Sequence, residues 1–102
     1  MESNIELKLP VKKWNYMHSY SSENYGAHSM AIAMGNLTLF YSYDTVVSFN
    51  FKGLKYVSEN LWGRTTGKHL NAIGGSKRIK REEFEQLLKK ALEEFRWASV
   101  LT

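Results

Sequence analysis

"SMAIAMGNLTLFYSYDTVVSFNFKGLKYVS", residues 29–58, is the stretch on which the fold of this chain turns. Met30, Ile32 and Met34 alternate with Ala31 and Ala33, which is the two-residue period of a strand. Gly35-Asn36 then offers a hairpin turn before "LTLFYSY", because glycine adopts the positive φ that two-residue turns demand. Asp44-Thr45 suggests a second tight turn into "VVSFNF", and Lys52-Gly53 a third into "LKYVS". The pattern predicts an antiparallel meander of about four strands. With Asp44-Thr45 as the loop, Phe40 would face Phe49 and Thr38 would face Phe51, with Leu37, Leu39, Tyr41 and Tyr43 on the opposite surface.

Both surfaces of such a sheet carry large apolar groups, whereas a half-solvated sheet alternates cleanly between apolar and polar. A helix can cover one of them. For the other, the expectation is closure by the N-terminal "LKLPVKKWNYM", residues 7–17, with a second copy or a ligand as the alternatives. The covering helix is legible downstream: Phe84, Leu87, Leu88, Ala91, Leu92, Phe95 and Ala98 recur at helical spacing from residue 81 to about 98. Glu82, Glu83 and Glu85 suit its positive end, and Glu85 with Lys89 makes a favourable pair four residues apart. Trp97 falls outside the stripe and stands either as a frayed-end residue or as a contact for a partner.

Between these segments lies "WGRTTGKHLN", residues 62–71, which resembles a phosphate-cradling loop at first sight. Such a loop places four residues between its glycines and a hydroxyl after the lysine, so that backbone N–H groups wrap phosphate and the hydroxyl holds magnesium. Here Gly63 and Gly67 are one residue too close, and His69 replaces the hydroxyl. The preceding sequence also reads as hairpin strands rather than the crossover unit that such a loop requires. A milder reading makes Thr65 or Thr66 the N-cap of a short helix near 66–73, ended by Gly74-Gly75. That helix end either closes a structural element or holds an anion beside Lys68.

Composition narrows the function classes. The 102 residues suit one domain, 43% hydrophobic and 14% aromatic, and contain no cysteine. A disulfide scaffold and a thiolate nucleophile are therefore excluded, and zinc would depend on histidine and carboxylate alone. His18, His28 and His69 show no metal-ligand spacing, so convergence with Glu23 or Asp44 would be needed. His69, close to a helix start, suits a neutral hydrogen-bonded role rather than catalysis. No G-x-S-x-G nucleophile elbow occurs, so the chain reads as a non-enzyme without cofactor or metal. The N-terminus lacks signal-peptide order and no apolar run approaches a membrane span, which predicts a cytoplasmic protein without a membrane partner.

The net charge of +4 is concentrated. Residues 1–63 carry five bases and five acids, whereas residues 64–81 carry Arg64, Lys68, Lys77, Arg78, Lys80 and Arg81 with no acid. Together with Thr65, Thr66 and His69, these are the candidates for anion or nucleic-acid binding, which would be sequence-tolerant and salt-sensitive. The stretch has no aromatic residue to stack on bases, and Glu82, Glu83 and Glu85 follow at once. Protein or peptide binding, homodimerisation included, draws instead on Tyr41, Tyr43, Phe51, Trp62 and Trp97 as anchors. An echo between "GAHSMAI" at 26–32 and "GKHLNAI" at 67–73 raises an internal duplication, roughly 12–52 and 53–102, with a cleft between halves.

"NYGAHSMAIAMGNLTLFYSYDTVVSF", "VSENLWGRTTGKHLNAI" and "REEFEQLLKKAL" together resemble a family of small proteins encoded by phages, archaeal viruses and other mobile elements. The similarity covers roughly residues 24–92, and "SYDTVVSF" and "TTGKHLN" are its most specific parts. Trp62, Thr65, Thr66, Gly67, Lys68, His69 and Asn71 stand in the family's pattern. The resemblance implies a viral origin, suggests a filamentous virus of a thermoacidophilic archaeon, and places the protein inside a host cell. The family brings no assigned activity and no catalytic residues, but it makes the 62–71 segment the leading functional candidate. The expected architecture is α+β: an antiparallel meander packed against a C-terminal amphipathic helix. The expected role is an interaction module for a protein or peptide partner, with nucleic-acid binding through 64–81 as the alternative.

Overall fold

The structure, a computed structural model, describes residues 11–17, 28–74 and 77–101, the side chains of 97–101 excepted. Strands β1 (Val11–Asn15), β2 (Met30–Met34), β3 (Leu37–Ser42), β4 (Thr45–Phe51), β5 (Leu54–Ser58) and β6 (Arg78–Ile79) form one sheet in chain order. Helix α1 (Arg64–Ile73) lies between β5 and β6, and α2 (Arg81–Leu101) follows β6. The α+β meander with its C-terminal amphipathic helix is thus the fold. No helix among the described residues is long and apolar enough to cross a membrane.

Turn chemistry accounts for the hairpins. Gly35 takes φ 60°, and Lys52 and Gly53 take φ 53° and 84°, the left-handed angles that match strand twist. The middle turn departs from expectation: its loop is Tyr43-Asp44, because Ser42 already pairs with Thr45. Tyr43 occupies φ 60°, a costly conformation for a bulky residue. Its N–H donates to the His28 carbonyl at 2.8 Å and its ring stacks on His28 at 4.4 Å, which offsets that cost. A bulge follows, the register passing from Phe40↔Ser48 to Tyr41↔Val46.

Those two shifts correct the facing of side chains. Leu37 and Leu39 pair with Phe51 and Phe49, so all four share one surface instead of dividing between two. Phe84 and Ala91 of α2 complete that core, with the Phe84 ring edge-on to Phe49 at 5.4 Å. The opposite surface is met by α1, through Leu70 and Ile73 against Val47 and Val57. The N-terminal segment, expected to close over it, contributes the Trp14 and Tyr16 rings, edge-on to Phe40 at 6.4 and 5.5 Å. Residues 11–15 extend the sheet as edge strand β1, paired with β2, and residues 7–10 lie outside the described residues.

The hairpin reading also fails at its far end. β6 pairs parallel with β5, so β5, α1 and β6 make a small crossover unit. Glu59 N–H donates to the Ile79 carbonyl at 2.8 Å, and the Glu59 carboxylate accepts the Arg81 N–H at 2.8 Å. Of the Gly-x-His echo, Met30–Ile32 of the first copy lie in β2 and the second copy lies in α1, while residues 26–27 lie outside the described residues.

Candidate functional site

At one end of the sheet the β3–β4 turn meets the start of α1, and residues 42–45 and 62–66 enclose an open pocket of about 340 Å³. The two most distinctive sequence motifs therefore converge on one place. Tyr43 and Trp62, 48% and 44% exposed, supply aromatic surface, and Asp44 and Arg64 supply one charge of each sign. Among the described residues, no three His, Asp or Glu side chains gather as a metal site.

Local chemistry shapes the mouth. The Asn60 carboxamide oxygen accepts the N–H groups of Trp62 and Gly63 at 3.0 and 3.2 Å, while its nitrogen donates to the Gly63 carbonyl at 2.8 Å. This side chain folds the loop and presents Trp62. Gly63 sits at φ 142°, ψ −160°, a region that only glycine occupies freely. Gly67 is helical, and a Cβ there would stand 3.2 Å from the Asn60 nitrogen, so glycine inside α1 makes room for the loop's organiser. Arg81 backs the pocket: its guanidinium lies 5.0 Å from the Trp62 ring centre and 4.8 Å from that of Phe84.

Buried polar groups form the floor. Ser42 Oγ is hydrogen-bonded to Thr66 Oγ1 at 2.8 Å and to His69 Nδ1 at 2.7 Å, and His69 is wholly buried. The Tyr16 and Tyr43 rings flank the imidazole at 6.0 and 6.1 Å. Tyr16 donates its hydroxyl to the Tyr41 carbonyl at 2.7 Å, and burial pushes its phenol well above the usual range. The expected cap is corrected here. α1 starts at Arg64 with Gly63 at the cap position and no side-chain cap; Thr66 turns inward to Ser42, and Thr65 lines the pocket. Gly74 does end the helix, its N–H donating to the Leu70 carbonyl at 3.0 Å, while Gly75 lies outside the described residues.

The crossover topology reopens the comparison with a phosphate loop, but the local geometry answers it. Gly67 and Lys68 lie within α1, and the Gly67 N–H already donates to Gly63 at 2.9 Å. A phosphate-wrapping loop needs those amides free. The pocket belongs instead to the turn ahead of them.

The remaining candidates scatter. Phe51 is core, and Tyr41 packs half-buried against the same cluster, so neither anchor joins Tyr43 and Trp62. The Trp97 side chain, His18 and Glu23 lie outside the described residues. Of the bases, Arg64 alone lines the pocket. Arg81 is committed to the Val46 carbonyl and the Glu85 carboxylate, both at 2.9 Å, and Arg78 donates to Asn71 at 3.0 Å near the other end of α1. Lys77 and Lys80 are exposed on either side of β6, and Lys68 is half-buried on α1. Sequence reasoning missed Ser42, Asn60 and Tyr16; a polar residue at the inward position of an apolar strand was the available signal for Ser42.

The chain belongs to a family of unknown function, DUF8033, which it matches over residues 12–86. That span contains the whole pocket. No curated protein and no solved structure matches the chain.

Proposed function

We propose that the pocket between the β3–β4 turn and α1 seats part of a protein or peptide partner. In keeping with the sequence resemblance, the chain would be an interaction module of a virus or mobile element. The observation that carries this reading is the convergence of Tyr43 and Trp62, 19 positions apart in sequence, on one open pocket. Large rings with few rotatable bonds lose little entropy when a ligand covers them, and such residues dominate binding at protein interfaces. Asp44 and Arg64 can meet both ends of a peptide unit or an opposite pair of charges. Catalysis is the weaker reading, because Ser42, 3% exposed, is engaged by Thr66 and His69 within the floor.

One observation favours an anionic ligand: α1 has no side-chain cap and its first turn borders the same pocket with Arg64. The division of the other bases weighs against a continuous track for a nucleic-acid backbone. Salt separates the two readings. Binding of a selected peptide, followed through Trp62 fluorescence with Trp62→Phe as reference, should persist from about 50 to 200 mM salt, whereas a phosphate-driven complex loses orders of magnitude over that range. Affinity for short DNA or RNA that collapses with salt, with no salt-resistant peptide found, would replace the first reading by the second.

A further inference from the structure

The outer side of α2 carries a second surface, away from the pocket. Glu85, Leu88, Lys89, Leu92, Glu93 and Arg96 line a groove of about 290 Å³ there. Their spacing of three and one residues keeps all six on one stripe of the helix. Leu92 is 41% exposed, and Leu88, half-buried, packs against the core with Phe84, Ala91 and Phe95 while also lining the groove. We propose that this stripe pairs with the same stripe of a second copy, the two α2 helices running antiparallel.

Charge order selects that partner. Along the helix the stripe reads Glu85, Lys89, Glu93, Arg96, and reversal of that order puts an opposite charge against every position. A two-fold axis near residues 90 and 91 sets Glu85 against the partner's Arg96 and Lys89 against the partner's Glu93. Two-fold contacts are reciprocal, so each pair occurs twice. The same operation brings Leu88 opposite the partner's Leu92. Helical geometry adds a second constraint. At about 100° per residue the leucines occupy one edge of the stripe, and Lys89 and Glu93 the other. In an antiparallel pair like edges meet, leucine on leucine and charge on charge. In a parallel pair the leucine edge would meet the charged edge and strand it without partners. Glu85 is held at the rim by its bond from Arg81 Nε at 2.9 Å.

Sedimentation of the full chain over increasing concentration tests the pairing, with thermal melting of each variant separating lost pairing from lost folding. The parent should shift from monomer to dimer. Lys89→Glu and Glu93→Lys should each weaken the dimer about tenfold, because the two-fold doubles every reversed pair, and Leu92→Lys should abolish it. An equimolar mixture of Lys89→Glu and Glu93→Lys should dimerise again, since each reversed charge then meets its complement. A parent that stays monomeric up to about 1 mM overturns the proposal, as does a dimer indifferent to all three substitutions. A parallel pair would leave the two charge variants no weaker than the parent, which also contradicts it.

Discussion

His69 Nδ1 is hydrogen-bonded to Ser42, 27 residues away and nearly as buried. Ser42→Ala removes a hydrogen bond from each of two buried groups, the His69 ring and the Thr66 hydroxyl, and denaturant titration should show a loss of about 1–3 kcal/mol. Tyr16 gives a pH signature. Its folded phenol titrates above its ordinary value, so the stability it contributes is intact below pH ~10 and falls as pH rises beyond it. Tyr16→Phe should cost about 1 kcal/mol at neutral pH through the lost bond to Tyr41, and should flatten the alkaline decline in urea melts. Gly67→Ala tests the close approach of Asn60. An alanine in a helix interior ordinarily gains about 1 kcal/mol over glycine, but Asn60 is held by three hydrogen bonds and cannot yield freely. The gain should be absent and Trp62 fluorescence should shift; a full gain with an unchanged spectrum would contradict this role. That His69 would be hydrogen-bonded was legible from sequence. Its partner was not, because Ser42 reaches it only through sheet register.

At the scale of elements, periodicity and turn residues revealed most of what folds: β2 to β5, two of the three hairpin loops, and α2. The failures have separate local causes. Val47 opposes no residue of its own in the ladder, and one such bulge shifts the facing of every side chain beyond it. β6 has two residues, too few to show a period, so the parallel pairing had no signal. At the head of α1 the threonines suggested a cap, yet the backbone of Gly63 makes the entry. Gly63→Ala should cost about 1–3 kcal/mol, since an added Cβ meets no atom but the φ of 142° is strained. The same substitution should weaken ligand binding by displacing Trp62. Unchanged affinity with full destabilisation would detach the loop from the site.

In the whole molecule, two helices pack on opposite surfaces of one sheet, which leaves the pocket at the end where α1 begins. Phe84 secures the larger of the two cores, and Phe84→Ala should cost about 3–5 kcal/mol in thermal or chemical melts. The +6 stretch 64–81, read from sequence as one patch, spreads in space around α1 and β6, with Arg81 spent on internal contacts. Linear charge was legible; its partition needed the crossover. What the family resemblance contributed is spatial as well. Its two motifs, separated by about 20 residues, become neighbours only once β3, β4 and α1 are assembled. The central claim is that this junction receives a peptide, and backbone amide shifts of the labelled protein report it most directly. Titration with a selected peptide at about 200 mM salt should move Tyr43, Asp44, Trp62 and Arg64 first and leave β1 still. Saturable binding that shifts other residues and spares these four would contradict the account.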